Sequence, residues 1–244
     1  MLGLGEAGGR IAADLAAAGA DVRGYDPAGL EAPGVTVVED IPTAVRGCDG
    51  VLSINSAKVA LDVATTALPA VGPDAVYADL NTGAPELKRR ISAADTETRV
   101  ADVALLGPVP ARGLGTPALA SGPGAEAFAG LMRPLGMPVD VVSGRSGDAA
   151  AMKLIRSVFM KGLAAAAVES VAAAEAVGHE AWLKQEIAAV IGEPFLERLL
   201  VGSRRHAARR VDEMEAARDL LLTLGVEPRV ADASAALLRS LPVD

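Results

Sequence analysis

The chain opens with Gly3-Leu4-Gly5-Glu6-Ala7-Gly8-Gly9 and runs directly into the helix-forming stretch Arg10–Ala18. Glycines at this spacing ahead of a helix suit a dinucleotide. Gly3 and Gly5 let the backbone approach a pyrophosphate with no Cβ between them, and Gly8 lets the helix pack close to a sheet. The N–H groups of the first helical turn, at Glu6, Ala7 and Gly8, offer the phosphates a partial positive charge. A short β-branched run follows the helix and ends at Asp26, whose carboxylate is placed for ribose hydroxyls. A carboxylate there repels a 2′-phosphate, and no arginine follows in Asp26-Pro27-Ala28-Gly29, so NAD is expected, with NADP as the alternative. Read without a ligand, Gly3–Gly9 is a tight strand-to-helix turn. A second cofactor contact is expected at Asn55 and Ser56, just past the run Gly50–Leu52, since the carboxyl ends of strands face the ligand crevice of an open sheet. Either residue could instead cap the next helix.

These residues need a scaffold. Runs typical of strands lie at Asp21–Tyr25, Val35–Val38, Gly50–Ile54, Ala75–Asp79, Arg99–Val103, Pro117–Ala120 and Val139–Val142. Helical patterns alternate with them at Gly8–Ala18, Pro42–Arg46, Lys58–Leu68, Pro85–Ala93 and Ala125–Leu131. The alternation predicts an α/β Rossmann-type doubly wound sheet, parallel and covered by helices on both faces. From Ser143–Gly147 onward the pattern is helical only: Asp148–Val177, Glu180–Ile191, Pro194–Val201, Arg204–Leu224 and Arg229–Leu241, punctuated by Gly178, Gly192, Gly202 and Gly225. The expected organisation is therefore a dinucleotide-binding domain over residues 1–145 and an all-α domain over 146–244. A glycine loop at Gly3 leaves only Met1 and Leu2 for the strand before it, where about five residues are usual. Either the chain begins upstream or that strand is nearly absent.

Composition narrows the classes. The 244 residues are 51% hydrophobic and 22% charged, which allows a core and excludes disorder as the main state. Aromatics are 2%, so the core must be built from Ala, Val, Leu and Ile. The net charge of −8 argues against nucleic acid or an anionic membrane as partner. The single cysteine excludes an internal disulfide, and a cytoplasmic setting is expected. The N-terminus lacks the basic region of a signal peptide. The most apolar segment, Gly162–Gly178, is broken by Glu169 and Glu175, so no transmembrane span is expected.

Four stretches together resemble the β-hydroxyacid dehydrogenase group, which belongs with 6-phosphogluconate dehydrogenase, and are closest to a branch with a divergent helical C-terminal domain. They are the glycine loop Gly3–Gly8, Asp79-Leu80-Asn81-Thr82-Gly83-Ala84-Pro85, the segment from Asp102 to Gly107-Pro108-Val109, and Gly147-Asp148-Ala149-Ala150-Ala151-Met152-Lys153-Leu154-Ile155-Arg156-Ser157. The stretch from Asp79 to Pro85 is similar to the family's Asp-x-Ser-Thr loop beside the nicotinamide. The segment ending at Val109 stands where the family places a substrate-carboxylate loop, and the one from Gly147 to Ser157 resembles its glycine-led lysine helix. Two departures concern the substrate. Gly107-Pro108-Val109 replaces the usual Ser-Gly-Gly, and Ser157 stands where an Asn is usual, four residues after the lysine.

The resemblance implies an NAD(P)-dependent oxidoreductase acting on a small 3-hydroxy acid or related carbonyl acid, with Lys153 as catalytic lysine. Physical chemistry supports that role. Hydride transfer at a carbinol carbon needs a group to move the hydroxyl proton, and a lysine in a dry cleft can titrate near about pH 7–8. As a cation it also stabilises a developing alkoxide. Ser157 and Lys161 follow Lys153 at i+4 and i+8, so they share its helix face and suit an anionic substrate. Lys153 and Lys161 could instead simply snorkel to solvent. Asn81 and Thr82 are expected to meet substrate or cofactor, or to cap the helix led by Pro85. The basic run Ser203–Arg210 reads either as a source of cations for an anionic substrate or as a solvated face paired with Asp212, Glu213 and Glu215. His206 within it has no second ligand in register, so no metal is expected. Other readings are an imine reductase, against which Lys153 argues, and a non-catalytic dinucleotide sensor. Ala-rich surface on the long helix near Gly162–Val177 predicts a homodimer.

Overall fold

The computed structural model describes residues 1–95, 97, 99–205 and 207–241. They divide into two compact units, Met1–Lys153 and the residues from Leu154 on.

The first unit is the α/β layer. Its strands are β1 (Val22–Gly24), β2 (Val35–Val37), β3 (Gly50–Ser53), β4 (Val76–Asp79), β5 (Arg99–Leu105), β6 (Ala118–Ser121) and β7 (Val139–Val141). β1 pairs with β2, and β3 to β7 form a second sheet in sequential order. Ahead of the glycine loop, Leu2 bridges in parallel to both Tyr25 and Ser53 and so stands between the two sheets. Its N–H donates to Leu52 O at 2.8 Å and its carbonyl accepts from Ile54 N–H at 2.8 Å. Leu2 is 1% exposed and spends both backbone groups on its neighbour, while Met1 O and Gly3 N–H pair with Tyr25 on the other side.

The expectation of a wholly parallel sheet needs one correction, because β6 runs antiparallel to β5, with Asp102 opposite Ser121. A parallel return requires a crossover over the sheet face. Here the connector contains only the short helix α5 (Val109–Arg112) and a single 3-10 turn, and it docks on α1 (Glu6–Ala17). Leu114 N–H donates to Asp14 at 2.8 Å, and the Arg10 guanidinium donates to Pro110 O at 3.3 Å. The remaining helices are α2 (Ile41–Val45), α3 (Ala60–Ala67), α4 (Pro85–Ala93) and α6 (Ala125–Met132). Apolar clusters lie on both faces of the sheet: Ile11, Leu15, Val103 and Phe128 on one, Val45, Val51, Tyr77 and Ile91 on the other. Tyr77 and Phe128 are fully buried and the rest of this core is mostly aliphatic, as the composition requires.

Helix α7 (Asp148–Ala176) contains the division between the units, which falls after Lys153. Its first turn stays with the sheet because Asp102 and Ser121 accept hydrogen bonds from its backbone.

The second unit is helical: the rest of α7, then α8 (Glu180–Ile191), α9 (Glu193–Arg205), α10 (Ala207–Thr223) and α11 (Arg229–Ser240). It has two small cores. Leu154 packs with Met214, Ala217, Ala235 and Leu238, while Ala164 and Ala167 pack with Leu196 and Leu199. Gly202, expected to end a helix, lies inside α9, where a Cβ would sit 2.7 Å from the Arg210 guanidinium. By length and composition α7 is apolar enough to cross a membrane, with a window of mean hydropathy 1.4. A core helix of a water-soluble protein meets the same measure, and 28% of that window is buried.

Candidate functional site

The glycine loop is a cradle built from backbone. Gly3 has φ +95°, and a Cβ on it would lie 2.1 Å from Ile54 O. A Cβ on Gly8 would lie 2.1 Å from Gly3 O, so α1 starts against the loop itself. Around Gly5 the space is open, with nothing within 4 Å of an added Cβ. Gly5 is also the N-cap of α1 and brings no side chain to cap it. The N–H groups of the first turn are thus left for a ligand.

A cavity of about 500 Å³ opens beside this loop, lined by Gly3, Gly5, Glu6, Ala7, Gly8, Asp26 and Asn55 and walled by Tyr25, Ile41, Ile54, Val59 and Val63. A lining of glycine backbone and a few polar side chains among apolar walls fits a nucleotide, whose phosphates are anionic and whose base is flat and largely apolar. Asp26 is fixed by backbone: Leu4 N–H donates to Oδ2 at 2.8 Å and Ala28 N–H to Oδ1 at 2.9 Å. Its carboxylate therefore pins the loop as well as facing the cavity.

Asn55 and Ser56 do not cap α3, whose N-cap is Val59. Asn55 lines the cavity, its side-chain amide donates to Ser53 Oγ at 2.9 Å, and its N–H is taken by Asn81 Oδ1. Ser56 is exposed. Asn81 and Thr82 likewise do not cap α4, whose N-cap is Ala84. Asn81 is 4% exposed and its amide donates to Asp79, so its polar atoms join two loops rather than facing solvent. Thr82 is exposed, and its Oγ1 accepts a 2.8 Å hydrogen bond from Lys153 Nζ. The stretch Gly107-Pro108-Val109 departs most from a ligand-facing arrangement. Val109 is a core residue at 6% exposure, Pro108 is the exposed N-cap of α5, and a Cβ on Gly107 would meet only ordinary contacts at 3.6 Å.

Beneath these loops lies a buried ionic group that sequence reasoning missed. Lys88 of α4 is 2% exposed, and its Nζ lies 2.9 Å from Asp79 Oδ2 and 3.4 Å from Asp102 Oδ1. Asp102 Oδ2 accepts from Gly147 N–H, Ala150 N–H and Ser121 Oγ at 3.0, 3.1 and 3.1 Å. A signal was present: Lys88 shares the face of Pro85 and Ile91, the buried face of its helix, and both aspartates sit within apolar strands. Charged residues in such places require partners.

In the second unit, Ser157 and Lys161 meet at Glu213. Lys161 Nζ donates to Glu213 Oε1 at 2.8 Å and to Ser157 Oγ at 3.2 Å, while the Ser157 hydroxyl donates to the same carboxylate. Burial lowers the Lys161 ammonium below its ordinary range, and Glu213 offsets part of that shift. Arg210 of the basic run donates to Ser203 Oγ at 2.8 Å, and burial lowers its guanidinium too. His206 lies outside the described residues.

Residues 174–241 match the family model DUF1932, a domain of unknown function. An uncharacterized 28.5 kDa protein of Methanothermus fervidus is 27% identical over 198 residues, covering 80% of this chain and 76% of that one. Among solved structures, the conserved protein MTH1747, reported to show structural similarity with 3-hydroxyacid dehydrogenases, aligns at a TM-score of 0.75 and 29% identity, over 98% of this chain and 96% of its own. The Mycobacterium tuberculosis 3-hydroxyisobutyrate dehydrogenase, solved with L-serine, aligns at a TM-score of 0.83 and 21% identity, over 98% and 91%. The resemblance read from the four stretches thus extends over nearly the whole chain as a shared fold.

Proposed function

We propose that this chain, which carries the fold of the 3-hydroxyacid dehydrogenases, is an NAD(P)-linked oxidoreductase acting on a small 3-hydroxy acid or related carbonyl acid. One observation carries the reading: Lys153 Nζ is held 2.8 Å from Thr82 Oγ1, at the loop that follows the carboxyl end of β4. Ligands of open α/β sheets bind at that edge. The glycine cradle and cavity lie at the same edge of the same unit, after Leu2 and β3.

In this reading Gly3, Gly5, Glu6, Ala7 and Gly8 hold the pyrophosphate through backbone, Asp26 takes the ribose hydroxyls, and Asn55, Ser56, Asn81 and Thr82 border the nicotinamide end. Asp26, fixed in place by two backbone N–H groups, favours NAD because a 2′-phosphate would meet its carboxylate. When bound there, the nicotinamide would supply or accept the hydride. Lys153 does the proton work: its amine takes the proton of the substrate hydroxyl in oxidation, and its ammonium returns one to the carbonyl oxygen in reduction. Thr82 Oγ1 orients that amine. Ser157 and Lys161, on the same helix as Lys153, are the candidate contacts for the substrate anion. An anion at Lys161 must compete with Glu213, so this end favours a weakly held carboxylate over a multiply charged group. The chain acts as a homodimer in this reading.

The test is Lys153→Ala assayed on a panel of small hydroxy acids that includes 3-hydroxyisobutyrate and L-serine. Turnover is expected to fall by about 10²–10⁴-fold, with NADH binding by fluorescence unchanged. Unaltered turnover would overturn the role of Lys153. NADH binding by the unsubstituted chain, with no turnover of any compound, would favour a sensor instead.

A further inference from the structure

We propose that Lys88 is a positioning residue for the Lys153–Thr82 pair and acts on it through Asp79 and Asp102. The inference rests on the reading of Lys153 as the proton-moving group. Asp79 ends β4 and Asp102 lies opposite it in the parallel register of β5, so two carboxylates face one another in the interior. Each is 1% exposed, and the Lys88 ammonium stands between them. Lys88 also donates to the Asp79 carbonyl at 2.9 Å.

Each carboxylate spends its second oxygen on a segment that carries part of the site. Asp79 Oδ1 accepts from the N–H and the side-chain amide of Asn81, the residue before Thr82. Asp102 Oδ2 accepts from Gly147 and Ala150 at the start of the helix that presents Lys153. The negative charge of Asp102 also complements the positive end of that helix. One buried cation therefore ties the loop bearing the acceptor of the 2.8 Å hydrogen bond to the helix bearing its donor. A core that needed only stability would pack better with an aliphatic side chain at position 88 and neutral partners, because desolvating such an ionic group costs as much as its attraction returns. What the ionic group adds is a fixed geometry between two segments distant in sequence.

The experiment reads the amine directly. Competitive labelling with acetic anhydride, followed by mass spectrometry, reports how freely the Lys153 amine reacts. In the otherwise unsubstituted chain, Thr82→Val removes the acceptor and is expected to raise the labelling rate about threefold. In a Lys88→Met/Asp79→Asn background, whose net charge is unchanged, adding Thr82→Val is expected to change the rate by less than about 1.5-fold, because the pair is already apart. A threefold effect that persists in that background would overturn the proposal, since a residue serving stability alone leaves the local pair intact in the folded molecules. If the double substitution melts below the assay temperature, Asp102→Asn serves in its place. It keeps an acceptor for Gly147 and Ala150 but cuts the charge link to Lys88, and the same loss of coupling is expected. Labelling and turnover separate the two failures. Intact turnover in Lys153→Ala defeats the functional reading alone, and persistent coupling defeats the positioning role alone.

Discussion

Each unit holds a lysine paired with carboxylates, and the two pairs are built differently. In the sheet unit, Lys88 and its two aspartates have side chains 1–2% exposed, and the carboxylate oxygens not facing the lysine are engaged by N–H or O–H donors of neighbouring segments. In the helical unit, Lys161 and Glu213 have side chains 16% and 12% exposed, and Ser157 donates to the same carboxylate. The cause lies in the layers. Parallel strands covered by helices leave an interior with no water, so charge there must be met by protein. Small helices with alanine cores leave water within reach, and burial there lowers the lysine without excluding solvent. A pair of the first kind is closed to solvent, and one of the second kind keeps an edge that faces it.

This contrast can be broken by mutation. The largest effect is expected for Lys88→Met, which strands two buried carboxylates and should cost about 3–5 kcal/mol in denaturant unfolding. Lys161→Met should cost about 1 kcal/mol or less near pH 7, because water reaches Glu213 and Ser157 still bonds to it. Equal costs would erase the distinction between the two pairs.

A smaller effect sharpens the contrast through pH. Lys161 is lowered from its ordinary 10.5, first by desolvation. Between that lowered value and 10.5 the unfolded chain holds more protons than the folded one, so the contribution of Lys161 to stability rises with pH. Below that window both states are protonated and the burial penalty is felt in full. The stability difference between the unsubstituted chain and Lys161→Met should therefore move in favour of the former as pH climbs toward 10.5. Burial raises the Tyr77 phenol, which opposes stability at still higher pH, but that residue is common to both proteins and cancels in the difference. A flat difference would mean that Glu213 compensates the burial of Lys161 in full.

Much of the scaffold was legible residue by residue. Val35–Val37, Gly50–Ser53 and Val139–Val141 are strands where β-branched runs predict them, and Pro85–Ala93 and Glu180–Ile191 are helices with the expected ends. The direction of β6 was not legible, because a short connector reads the same whether it crosses the sheet or docks on α1. Capping was misleading in a similar way. Asn55, Ser56, Asn81 and Thr82 are all residues that cap helices, yet Val59 and Ala84 hold those positions. The Asn55 side chain is spent on Ser53, that of Asn81 on Asp79 and the Asn55 N–H, and that of Thr82 on Lys153.

The order of its amino acids by itself determined the alternation of strands and helices, the switch to helix after residue 147 and the glycine cradle, because periodicity and the lack of a Cβ are local properties. Only the tertiary structure decided that Leu2 bridges the two sheets, that Val109 belongs to the core, and that Lys88 joins Asp79 to Asp102. Those outcomes depend on which strands become neighbours and where water is excluded, and a chain acquires both only when its distant segments pack together.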